Sequence, residues 1–149
     1  MSRKQIIKIY VDANILINYC TGQNVDVKAL DYIFSKRRKE VLFTSSLAIV
    51  QTISKLQSKN RKRMAFSRET VISKLEEILK KFTVLDLSFS NIKKAFEYLN
   101  SDVEDSVHYV LSQKIKCDAI LTNNTKDFMF FKDVVSIAPD IRVLKSKIQ

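Results

Sequence analysis

The stretch Lys8-Ile9-Tyr10-Val11-Asp12-Ala13-Asn14-Ile15-Leu16-Ile17 decides how the chain is read. Ile6, Ile7, Ile9, Tyr10 and Val11 make a short β-branched run of the kind found in strands buried on both faces. Asp12 ends that run, Asn14 follows, and a second apolar run to Tyr19 has the length of a helix. A carboxylate at the end of a buried strand sits where open α/β sheets place their ligands, beyond the strands' carboxyl edge. Asp is also a good helix N-cap, so these residues alone leave open whether Asp12 holds a ligand or starts a helix.

Outward from this stretch the pattern alternates. Asp26 is placed to cap a helix with the stripe Val27, Leu30, Ile33 and Phe34, and Val41–Thr44 reads as a strand. Ser45 or Ser46 caps a helix carrying Leu47, Val50, Ile53 and Leu56, interrupted by the polar Gln51. Ser67 opens another with Val71, Ile72, Leu75, Ile78, Leu79 and Phe82 on one face, and residues 82–87 form a strand. Ser90 opens a helix with Ile92, Ala95, Phe96 and Leu99. After a break at Asn100-Ser101-Asp102, the periodicity resumes with Val107, Val110, Leu111 and Ile115. Residues 118–122 are a strand, 123–127 a polar turn and 128–131 an apolar stub. Either Ser136-Ile137 or Ile141–Leu144 supplies a last edge strand around Pro139. Such alternation predicts a parallel sheet with helices on both faces and the strand-to-helix turns along one edge.

Composition sets limits. At 149 residues and 46% apolar, residues 1–149 are most simply one domain with its own core. No apolar run has membrane-span length and no signal-peptide pattern opens the chain, while Cys20 and Cys117 lack a C-x-x-C partner. Both read as buried thiols in a reducing cytoplasm. A single Gly and a single Pro argue against a hairpin-rich β protein and against a glycine-lined phosphate loop.

Lys and Arg number 26 against 16 Asp and Glu, a net charge of +10 that attracts polyanions, nucleic acid first among them. The excess is clustered. Lys55, Lys59, Arg61, Lys62, Arg63 and Arg68 fall in one segment without an acid, and Lys36-Arg37-Arg38-Lys39 forms a second knot. Either cluster could grip phosphates or be a solvated face.

Against this basic background, three polar clusters map to the predicted turn edge: Asp12/Asn14, Asp102/Glu104/Asp105 and Asn123/Asn124/Asp127. Each has a structural reading, since Asp-x-x-Asp at a helix start resembles a capping box and Asn-x-x-Asp an Asx turn. Converging on one edge, so many oxygen side chains would repel one another without a cation, and hard oxygen donors suit Mg²⁺ or Mn²⁺.

Taken together, the strand ending in Asp12-x-Asn14, Thr44-Ser45-Ser46 before a helix, Asp102-x-Glu104-Asp105 opening another, and Ile120-Leu121-Thr122-x-Asn124-x-x-Asp127-Phe128 resemble the PIN domain, nearest its VapC-type toxins. The resemblance implies a three-layer α/β/α fold on a parallel sheet of about five strands, often dimeric, with a metal-dependent endoribonuclease site and an antitoxin partner. It implies Asp12, Asp105 and Asp127 as catalytic acids holding Mg²⁺ or Mn²⁺, with Asn124 a weak neutral ligand. Asn14, Ser45, Asp102, Glu104 and Thr122 would support them. Gln51 stands where relatives usually carry Glu, so it keeps a carbonyl oxygen, able to hold a metal-bound water, but brings no charge. The sole histidine, His108, shares a helix face with Asp105 and reads as packing, and one histidine excludes a two-histidine ribonuclease. Asn at 14 disfavours an Asp-x-Asp phosphatase. A degenerate RNA- or partner-binding module is the alternative that Gln51 leaves open.

Overall fold

The computed structural model describes residues 5–59, 63–99 and 101–149. Five short strands, β1 (Ile9–Val11), β2 (Leu42–Ser45), β3 (Thr83–Leu85), β4 (Ala119–Leu121) and β5 (Val135–Ile137), form one sheet in the order β3-β2-β1-β4-β5. Every pairing is parallel. The chain runs outward from β1 to β2 and β3, then returns to the other side of β1 for β4 and β5. The order therefore reverses between β1 and β4, and the crevice beyond their carboxyl ends is the place such sheets reserve for ligands.

The helices are α1 (Ala13–Cys20), α2 (Asn24–Lys36), α3 (Ser46–Leu56), α4 (Arg68–Leu79), α5 (Phe89–Ala95), α6 (Val103–Lys114), α7 (Thr125–Phe128) and α8 (Ile141–Lys147). Alternation along the strands separates two cores. Ile9, Val11, Leu42, Ala119 and Leu121 pack on one face with the apolar residues of α1, α2, α4 and α8. Tyr10, Phe43 and Ile120 pack on the other with α6 and with Phe128 and Phe131. This is the expected three-layer arrangement, and β1 is fully enclosed within it.

Capping chemistry fixes the helix starts. Asp12, Ser45, Ser67 and Asp102 each accept a backbone N–H of the helix that follows. Several boundaries differ from the sequence expectation. Asp26 does not cap α2; it lies within the first turn, 4% exposed, because the helix starts earlier at Asn24. Ser88, not Ser90, opens α5, since Ser88 and Asn91 complete a reciprocal capping box. That helix stops at Ala95, leaving Phe96 and Leu99 exposed instead of packed. Residues 125–128 of the polar turn and stub coil into α7, and β5 is the edge strand. Ile141–Leu144, the alternative edge strand, belongs to α8, which Asp140 caps through the Arg142 N–H. Ile7, Val50 and Ile72 are exposed. Cys20 and Cys117 are both buried free thiols.

Candidate active site

Asp12 extends from the end of β1 into the reversal crevice, 4% exposed. Its Oδ1 accepts the Ala13 N–H at 2.7 Å, and its Oδ2 accepts from Asn14 Nδ2 at 3.0 Å and from the Thr122 hydroxyl at 2.8 Å. Thr122 follows β4, so the two strands at the reversal point clamp one carboxylate. Asp12 therefore caps α1 and also presents an ordered carboxylate to the crevice. Behind it, Asn14 Oδ1 accepts from the Asn123 backbone and side chain, and Asn123 also donates to Asp26 Oδ2 at 2.9 Å, which takes a further bond from Asn18.

Helix α6 brings the second acid. Asp102 accepts the Glu104 and Asp105 N–H groups, and Asp105 is left half-buried in the first turn. Burial, followed by the charges of Asp12, Asp102, Asp127 and Glu104, pushes its carboxyl up to about 7. Asp12, Asn14, Gln51, Glu104, Asp105, His108 and Asn124 line an open cavity of about 560 Å³, with Ile17, Leu47 and Val50 as its apolar wall and Lys55 at its rim. A larger cavity of about 850 Å³ lies elsewhere, lined by Gln5, Ile6, Asp118 and residues of β5 and α8. It lacks converging acids, so chemistry rather than size selects the crevice.

Asp127, exposed on α7, is not in the cavity wall but lies near enough to act on the Asp105 charge. Among the described residues no three acid, histidine or cysteine side chains are drawn together tightly enough to enclose an ion. The donor set nevertheless fits a hard divalent cation: oxygen-bearing side chains of Asp12, Asp105 and Asn124 line one cavity.

His108 does more than fill space. It is 2% exposed, its Nδ1 is 2.6 Å from the Tyr10 hydroxyl, and its Nε2 is 2.8 Å from Gln51 Oε1 and 3.4 Å from Asp12 Oδ1. Burial lowers its pKa against the pull of Asp12, so the ring is held neutral. The Tyr10 hydroxyl, also buried, is 2.7 Å from Ser45 Oγ, which accepts the Ala48 N–H. Sequence reasoning placed Ser45 and Gln51 at the site but missed this chain of contacts and the role of Asp26. Asp26 was detectable: it lies in helical register with the buried Ala29, Leu30 and Ile33, an acid on an apolar stripe.

The basic residues divide. Lys55, Lys59 and Arg68 are exposed. Arg63 turns its guanidinium onto the Lys55, Leu56 and Met64 carbonyls and lies 5.0 Å over the Phe66 ring, securing the end of α3. Arg37, in the second knot, bonds the Ile6, Lys36 and Gln149 carbonyls. Arg61 and Lys62 lie outside the described residues.

The PIN domain profile matches residues 9–134, from the first residue of β1 to just before β5. The chain belongs to the PIN domain family. It is 27% identical to ribonuclease VapC1 of Aquifex aeolicus, over 94% of this chain and 91% of that protein. The PIN fold here is similar to that in DNA-bound VapBC from Salmonella typhimurium, with a TM-score of 0.68 and 15% identity over 90% of this chain and 99% of that one. It is also similar to Mycobacterium tuberculosis VapC20, a sarcin-ricin loop cleaving toxin, with a TM-score of 0.59 and 12% identity over 76% and 87% of the two chains. At these identities the likeness concerns the fold alone.

Proposed function

We propose that this protein is a divalent-metal-dependent endoribonuclease and the toxin of a type II toxin–antitoxin pair. The observation that carries the reading is the meeting of Asp12 and Asp105, from β1 and α6, in one cavity. The kinship with VapC1 and with VapBC complexes supports the substrate class and the antitoxin partner. Asp12, Asp105 and Asp127 would hold Mg²⁺ or Mn²⁺, with Asn124 as a neutral donor; the bound ion would supply Lewis acidity towards a water and the scissile phosphate.

The chain's own residues do the rest. Thr122, Asn14 and the Ala13 N–H fix the Asp12 carboxylate so that it needs no reorganisation on binding. Lys55 at the rim, with Lys59 and Arg68 beyond it, draws the RNA backbone to an otherwise acidic cavity. Phe89, Phe96, Leu99 and Val103, exposed on and around α5 and the start of α6, offer the apolar surface on which a second copy forms a homodimer.

One observation favours a second reading, a degenerate RNA- or partner-binding module: Gln51 lacks a charge and its oxygen is engaged by His108. The deciding experiment is RNA cleavage across a Mn²⁺ titration for wild type, Gln51→Glu and Asp12→Asn. The nuclease reading expects cleavage by wild type, half-activation of Gln51→Glu at lower Mn²⁺, and none by Asp12→Asn. If all three bind RNA and none cleaves it, the binding module replaces the enzyme.

A further inference from the structure

Gln51 is held at one end only. Its Oε1 meets His108 Nε2, and among the described residues nothing engages its amide nitrogen, although Gln51 lines the cavity. Which end of the amide faces the cavity follows from which ring nitrogen of His108 carries the proton.

Asp12 settles that. Its Oδ1 accepts from Ala13 and its Oδ2 from Asn14 and Thr122. Thr122 Oγ1 itself accepts from the Asn124 N–H, so the Thr122 proton goes to Asp12. The carboxylate is an acceptor in every contact, and its Oδ1 stands 3.4 Å from His108 Nε2. A bare nitrogen there would set lone pair against lone pair, so Nε2 carries the hydrogen. Nδ1 then accepts from the Tyr10 hydroxyl, which accepts from Ser45, which accepts from the Ala48 N–H. Each donor finds one acceptor with none left over. Facing an N–H, Gln51 presents its carbonyl to His108 and leaves its NH₂ for the cavity.

We propose that Gln51 is a hydrogen-bond donor to a non-bridging phosphate oxygen of the nucleic acid in this cavity, and that His108 is the positioning residue that sets the amide's direction. This rests on the nuclease reading above and gives the Gln51 amide nitrogen to the substrate; the charge that Gln51→Glu would add is what could reach the metal. A glutamate at 51 could accept from His108 equally well, yet would offer the phosphate a like charge.

Two readouts on the full chain test it. His108 is the sole histidine, so ¹⁵N-histidine labelling reports one ring without ambiguity. The expected ring is protonated at Nε2 in wild type and in Gln51→Glu; a ring protonated at Nδ1 overturns the proposal. Binding of a single-stranded 2′-O-methyl oligonucleotide is then measured without divalent cations, and Mn²⁺ binding separately by calorimetry. Gln51→Leu and Gln51→Glu are expected to weaken the oligonucleotide by about tenfold or more, while Gln51→Leu keeps Mn²⁺ affinity within about twofold of wild type. Oligonucleotide binding equal to wild type in both variants, or a large loss of Mn²⁺ affinity in Gln51→Leu, overturns the proposal alone. A wild type that binds the oligonucleotide neither without nor with Mn²⁺ removes the nuclease reading, and this one with it.

Discussion

The Tyr10 hydroxyl and His108 Nδ1 are 2.6 Å apart, a buried hydrogen bond that ties the central strand to α6 beneath the acidic cavity. Tyr10 is completely enclosed and its phenol pKa is raised by that burial, so the hydroxyl stays protonated and serves as donor. Tyr10→Phe keeps the ring but leaves His108 Nδ1 and Ser45 each short of a partner. Stability should fall by about 1–3 kcal/mol, read from urea midpoints. An unchanged midpoint would show that the contact contributes nothing to holding α6 on the sheet.

Asp105 predicts a pH dependence. Its folded pKa is pushed up to about 7, first by burial and then by its acidic neighbours, whereas the ordinary carboxyl value is 3.8. A raised folded pKa means that the native state holds the proton more tightly. The associated stability is complete below about pH 4 and is lost as pH rises through about 7. Metal-free protein should therefore lose stability between pH 5 and 8, and Asp105→Asn should flatten that change. Parallel urea titrations at the two pH values test it; equal slopes in both proteins would refute the assignment.

Asp26 is not in the cavity wall, yet its Oδ2 accepts from Asn18 and Asn123, and Asn123 supports Asn14 behind Asp12. Asp26→Ala should cost about 1–3 kcal/mol and lower RNA cleavage without altering RNA affinity. Full activity in a destabilised variant would confine Asp26 to a structural part.

The basic segment is tested by salt. Lys59→Ala and Arg63→Ala should each flatten the dependence of log K on log salt by up to about one unit if the residue meets a phosphate. Arg63→Ala should in addition destabilise the fold, because its guanidinium holds three carbonyls near the end of α3. Slopes unchanged in both variants would make the segment a solvated face.

The sheet and its layers were legible because β1, β2 and β4 are dense apolar runs, and those of β1 and β2 end at the caps Asp12 and Ser45. Helix ends were less so. Ser88 and Ser90 are equally plausible caps by type, and only the reciprocal bond with Asn91 decides between them. The direction of Ile141–Leu144 was equally hidden, since a four-residue apolar run has too few residues to show a period. At the site, the acids were visible as clusters at predicted turns. The Tyr10–His108–Gln51 connection was not, because a tyrosine in a strand and a histidine in a helix look like packing until three dimensions join them.

The clamp on Asp12 closes only when Thr122 is in place beside it, and those two residues come from opposite ends of the chain. During synthesis the chain must therefore be made through Thr122 before the Asp12 carboxylate is held from both strands. A nascent or prematurely terminated chain lacking β4 carries the first acid but not the hydroxyl that orients it. On the nuclease reading proposed above, this ordering is a built-in delay: the oriented carboxylate arrives only once β4 has been made.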